Sequence, residues 1–176
     1  MDGCDTNLSN DEFNKVINTF EIPKKCIMCE LSEYGKPCNI PDNVKGIETI
    51  IFPFKSNKKY GILSYVNKMK LMNKHRNKCL IHLKHDNSNY PSFMKGIRKT
   101  LKEKFKLREE PLIRSIQLKK CIKPYKHNGY LTLFLLESFM KTRNCDDSEE
   151  QQKKLNEYLT DQNMIKSFKR YKRIIN

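Results

Sequence analysis

The spacing of apolar residues changes along the chain, and each change marks an element. Ser9 to Glu12 has the capping-box pattern, in which the Ser side chain and a Glu three residues later satisfy free backbone N–H groups. Phe13, Val16, Ile17 and Phe20 follow at helical spacing, which predicts a helix from about Asn10 to Phe20, ended by Pro23. Residues 23 to 41 are rich in turn formers. Ile47 to Phe54 is β-branched and aromatic and reads as a strand, with Pro53 placing it at a sheet edge or at its own end.

From Tyr60 the pattern reads as helical again. Ile62, Tyr65, Val66, Met69 and Met72 trace an amphipathic helix that continues, or restarts, into the stretch from His75 to His85. Asp86 to Pro91 is a break. Ser92 can cap a further helix with Phe93, Ile97, Leu101 and Phe105 inward, and Pro111 stops it. Leu112 to Ile122 reads as extended, His127 to Gly129 as a turn, and Tyr130 to Lys141 as a short apolar helix. After an acidic linker beginning at Asn144, Leu155, Tyr158, Leu159, Gln162 and Ile165 align on a last helical region. The fold class that follows is mainly α with a few short β-strands (α+β). Its organisation is a loose tail over 1–9, a single domain over 10–143, and an acidic linker with a basic C-terminal helix over 144–176.

Charge narrows the function. In 176 residues, 35 Lys and Arg face 20 Asp and Glu, leaving +15, an excess that favours polyanions over small neutral substrates. Lys95, Arg98, Lys99 and Lys102 form one cluster. Lys169, Arg170, Tyr171, Lys172 and Arg173 form another, in which the aromatic ring can stack a base while the cations hold phosphates. The partner implied is RNA or DNA, bound with little sequence preference. An acidic host protein or an anionic membrane surface is the alternative. The longest apolar piece, Leu131 to Leu136, is too short to span a bilayer. The polar N-terminus is no signal peptide, so the expected place is the cytoplasm or nucleus, where the 7 cysteines stay reduced. The wealth of Lys, Asn and Ile suggests a virus or parasite as source.

The cysteines and histidines suggest a metal. Cys26 and Cys29 have the two-residue spacing of half a structural zinc site. If His75 to His85 is helical, at about 100° per residue, His75, Cys79 and His82 share a face. Cys26, Cys29, Cys79 and His82 then hold one structural zinc, with Cys38 and His75 as alternates.

Signatures of enzymes are missing. The 6 glycines form no phosphate-binding loop, and there is no Gly-x-Ser-x-Gly elbow and no His-Glu-x-x-His. The sequence therefore points to a non-enzymatic, zinc-stabilised, nucleic-acid-binding regulator, acting in transcription or against host defence. The alternatives are a zinc-stabilised adaptor for an acidic protein and a matrix-like protein on anionic membrane.

Overall fold

The computed structural model describes residues 8–33, 39–42, 44–56, 59–70, 76–84, 89–117, 128–143 and 147–176. In chain order the elements are α1 (Asn10–Ile17), β1 (Cys26–Met28), β2 (Ser32–Glu33), β3 (Thr49–Ser56), β4 (Lys59–Lys70), β5 (Arg76–Lys84), α2 (Pro91–Lys104), β6 (Leu112–Gln117), α3 (Asn128–Lys141), α4 (Ser148–Tyr158) and α5 (Asp161–Ile175). The strands form a 6-stranded mixed sheet in the order β1-β3-β4-β5-β6, with β2 also paired to β3. β3, β4 and β5 run antiparallel in turn, whereas β1, β2 and β6 join as parallel strands. Among the described residues, no helix is long and apolar enough to cross a membrane.

The expectation of a mainly helical, zinc-stabilised chain with a few short strands is thus overturned. The frame is the sheet, and β4 is 12 residues long. The cause lies in β4 itself. Ile62 and Val66 face one core cluster, while Leu63 and Tyr65 face the other. A strand covered on both faces reads as a nearly continuous apolar run without alternation. A bulge between Val66 and Met69 then shifts the pairing register, so Met69 returns to the face of Ile62 and Val66. The resulting spacing of four and then three residues imitates a helix.

Helices cover both faces. On one, α1, α3, α4 and α5 contribute Phe13, Val16, Phe134, Phe139, Leu155, Met164, Phe168 and Tyr171 to the larger core cluster. On the other, α2 lays Phe93, Met94, Ile97 and Leu101 against Phe52, Phe54, Leu63 and Leu80. α3 is buried along its length: Leu133, Phe134, Leu135, Leu136 and Phe139 are all at 0% exposure. A helix apolar all round suits that central place.

Local sequence explains the ends of the elements. Ser9 and Glu12 make the predicted reciprocal capping box, and α1 ends at Ile17, short of Phe20. Thr160 caps α5, its hydroxyl accepting from the Asn163 N–H. This cap splits the expected last helix in two and resets its phase. Met164, Phe168 and Tyr171 therefore turn inward, while Ile165 is 45% exposed. Pro53 lies inside β3, paired with Ile62 of β4. On its other side β1 pairs only with Thr49 to Ile51, and β2 only with Phe54 and Lys55. The proline's missing N–H thus falls where the neighbouring edge is interrupted.

Candidate functional site

The strand at β5 decides what Cys79 and His82 can do. Three residues apart on a strand, they point to opposite faces: Cys79 joins the α3-side cluster, while the His82 ring lies 5.6 Å from that of Tyr90, which packs on the α2-side cluster. Cys26 and Cys29 divide likewise between the two clusters. Cys26 shares a row with Thr49, Val66 and Cys79. On the other face, the Cys29 N–H donates to the Ile51 carbonyl, setting Cys29 level with Phe52, Leu63 and His82. Each pair is separated by three strand spacings, roughly 14 Å. The four expected ligands are therefore not brought to one point. Among the described residues, no group of 3 or more His, Cys, Asp or Glu side chains could hold a metal. The alternates Cys38 and His75 lie outside the described residues.

The basic residues are placed differently from the expectation too. Tyr171 is at 0% exposure and Phe168 at 8%, so neither offers a face to a base. Arg98 donates from Nε to the Pro111 carbonyl and pairs with Glu110 at 3.5 Å. Lys95, Lys99 and Lys102 are exposed on α2, whereas Lys169, Lys172 and Arg173 are exposed on α5. Those two helices cover opposite faces of the sheet. The cations do not merge into one binding surface.

Arg170 is committed to Glu137, the carboxylate that the sequence reading passed over. Glu137 sits on the buried α3, its side chain 8% exposed, and receives both bonds of the Arg170 guanidinium. The Tyr171 hydroxyl donates to it at 3.1 Å, the Ser167 hydroxyl lies at 3.5 Å, and Lys141 approaches to 3.9 Å. Burial, and then the Glu137 charge, push the Tyr171 hydroxyl well above its ordinary pKa. The signal was present: Glu137 is the one acid in the apolar run from Tyr130 to Met140, where only a paired carboxylate is tolerated.

This cluster lines one wall of a cleft of about 910 Å³, with Phe20 to Lys24 as the facing wall. Pro23 and Lys24 also border a hollow of about 370 Å³ containing Cys26, Thr49 and Arg143. Lys25 and Glu48 carry on into a third, of about 520 Å³, where Tyr65, Lys68 and Lys78 lie. The three adjoin through shared residues and make a trough whose charged lining residues are mostly cations. Lys25, at the junction, takes a left-handed backbone with φ of 59°, and its carbonyl accepts from both Glu48 and Thr49 N–H groups.

A thiol nucleophile must reach its thiolate form beside a base. Burial pushes the Cys26 thiol up to about 11, against a smaller opposing pull from Arg143. Burial likewise raises Cys79, against the pull of Arg114. Cys29 is buried at 8% exposure. At the opposite end of β4, the first turns of α3 meet the sheet, where the Thr132 hydroxyl donates to the Tyr60 carbonyl at 3.3 Å.

No protein-family model matches the sequence, and no curated protein matches it. Solved structures do match. A crystal structure of a de-sumoylating protease aligns over 97% of this chain and 78% of its own, with a TM-score of 0.52 and 8% identity. An ASFV protease aligns over 88% of this chain and 68% of its own, with 10% identity and a TM-score of 0.47. The first likeness establishes a shared fold, and that fold corrects the functional expectation. A non-enzymatic, zinc-stabilised regulator of nucleic acid, and with it the zinc-held adaptor and the matrix-like protein, gives way to a chain built on the frame of a protease.

Proposed function

We propose that the chain has a protease-like function, acting on an extended segment of another polypeptide. The observation that carries this reading is the structural likeness to a de-sumoylating protease over 97% of the chain. The trough past Pro23, Lys24 and Lys25 supports it, since a long hollow with a polar border suits an extended chain better than a compact small molecule. The compartment proposed is a reducing one, the cytosol or nucleus, where a cysteine such as Cys26 stays a thiol.

Burial sets Cys26 and Cys79 against a nucleophile's role, and Cys79 faces away from His82. The nucleophile of this proposal is a residue other than these two.

The test is a small ubiquitin-like modifier carrying a C-terminal vinyl sulfone, together with a peptide library read by mass spectrometry. A covalent adduct on a residue other than Cys26 and Cys79, or defined cleavage products, is the expected result. Neither adduct nor cleavage from folded protein overturns the reading.

A further inference from the structure

Among the described residues, β6 forms one edge of the sheet and pairs only with β5. Among the described residues the exposed large hydrophobics are Ile22, Leu112, Ile113 and Ile165. Two of these are neighbours on β6, at 37% and 39% exposure. The open backbone N–H and C=O groups of an edge strand are a template for another strand, and exposed apolar side chains beside them strengthen it.

The backbone of β6 is presented accordingly. The Ile113 carbonyl accepts from the Arg114 guanidinium, and the Gln117 carbonyl from the Gln152 amide. Both donors are side chains outside the β5 ladder, so alternate backbone groups of β6 face away from β5. The same alternation turns the N–H and C=O of Ser115 outward, midway along the edge.

Charge identifies the occupant. Arg98 on α2 bonds to the Pro111 carbonyl immediately before β6. Lys95, Lys99 and Lys102 continue from Arg98 as one stripe of that helix, at three- and four-residue spacing, and all three are exposed. A second copy of this chain would bring a further +15 to a surface already cationic. An acidic strand meets the stripe with opposite charge.

We infer that the outer edge of β6 takes up an extended acidic segment of a different polypeptide as an added strand, its main chain bonded at Ser115 and its carboxylates facing the α2 stripe. This docking edge stands on the sheet and its charge, independently of the protease-like reading.

The probe is a fluorescein-labelled peptide of alternating Glu and Val, followed by anisotropy against the full chain, with a Lys–Val peptide as control. Ser115→Pro removes an outward N–H while leaving the β5 ladder intact, and is checked by thermal unfolding. Lys99→Glu with Lys102→Glu reverses the stripe without touching the sheet. Saturable binding of the Glu–Val peptide, weakened at least tenfold by each variant and at least tenfold weaker for Lys–Val, is the expected result. The inference is overturned by no binding of the Glu–Val peptide, by equal binding of both peptides, or by variants that bind as the parent does. It is also overturned if sedimentation shows a dimer that Ser115→Pro dissolves, which makes the occupant a second copy.

Discussion

Arg170 closes on both carboxylate oxygens of Glu137, tying the last helix to the buried central one. Glu137 is 8% exposed at its side chain and Arg170 45%, so the pair is only half desolvated. Removing Arg170 leaves the carboxylate to Tyr171, Ser167 and distant Lys141. Breaking a fully buried pair costs about 3–5 kcal/mol, and the exposure of Arg170 lowers that. Arg170→Ala should therefore destabilise the fold by about 2 kcal/mol in urea unfolding, and Arg170→Lys should recover part of the loss, since both bonds come from the single nitrogen Nη2.

Gly61 sits directly across from Phe54 in the β3–β4 ladder. A Cβ at position 61 would fall 2.3 to 2.9 Å from three carbons of the Phe54 ring. The ring is held at 0% exposure, with Tyr90 and Phe93 at 4.9 and 4.8 Å. It cannot swing away without moving those neighbours. Gly61→Ala should destabilise by about 1–3 kcal/mol, the usual range for overpacking. A denaturation midpoint equal to that of the parent would show that the ring is not confined.

Ser64 is at 0% exposure, and its hydroxyl has no hydrogen-bond partner among the described residues. An orphaned buried hydroxyl costs about 1–3 kcal/mol. Ser64→Ala deletes that hydroxyl and little else, so the variant should be at least as stable as the parent. A clear loss of stability would reveal a partner, such as a buried water, at that point.

How far the sequence could be read depended on whether local signals and tertiary placement agreed. The capping box at Ser9 and Glu12 is a local device, and it stands where the sequence puts it. The helix at the end of the apolar run is legible for the same reason, since Asn128–Lys141 has no polar face to offer solvent except at Glu137 and its margins. β4 and β5 were illegible because burial on both faces erases alternation, and the bulge after Val66 supplies a false helical period. The site turns on the same point. A helix would have gathered Cys79 and His82, whereas a strand sends them apart. Composition registers Arg170 and Tyr171 as part of a basic, aromatic segment but not the buried Glu137 that claims them.

Reactivity of the thiols follows from their burial. With the Cys26 thiol raised from 9.0 to about 11, its thiolate fraction at pH 8 falls roughly 100-fold below that of an ordinary cysteine. Brief iodoacetamide treatment of folded protein, followed by peptide mapping, should leave Cys26 and Cys79 unlabelled while denaturant exposes both. Fast native labelling of Cys26 would show that its thiol is not desolvated and would return it to consideration as a nucleophile.

Alkaline pH should unfold the protein through the same groups. Burial raises Cys26 to about 11 and both Tyr60 and Tyr65 to about 12, and it raises Cys79, Tyr130 and Tyr171 as well. Each of these groups binds its proton more tightly folded than unfolded. Below pH 9 both states are protonated, and the groups add no pH dependence. Between the unfolded values, 9.0 for the thiols and 10.0 for the phenols, and the raised folded values, only the unfolded chain releases protons, so stability falls as pH rises. Urea midpoints should hold steady towards pH 9 and drop steeply by pH 12, and the share of the 295 nm tyrosinate absorption due to Tyr60, Tyr65, Tyr130 and Tyr171 should appear only with loss of helix signal. If Tyr60→Phe with Tyr65→Phe removed part of the 295 nm absorption that appears near pH 10 in the still-folded chain, that would contradict the burial of Tyr60 and Tyr65, and with it the double-sided packing that makes β4 the centre of the sheet.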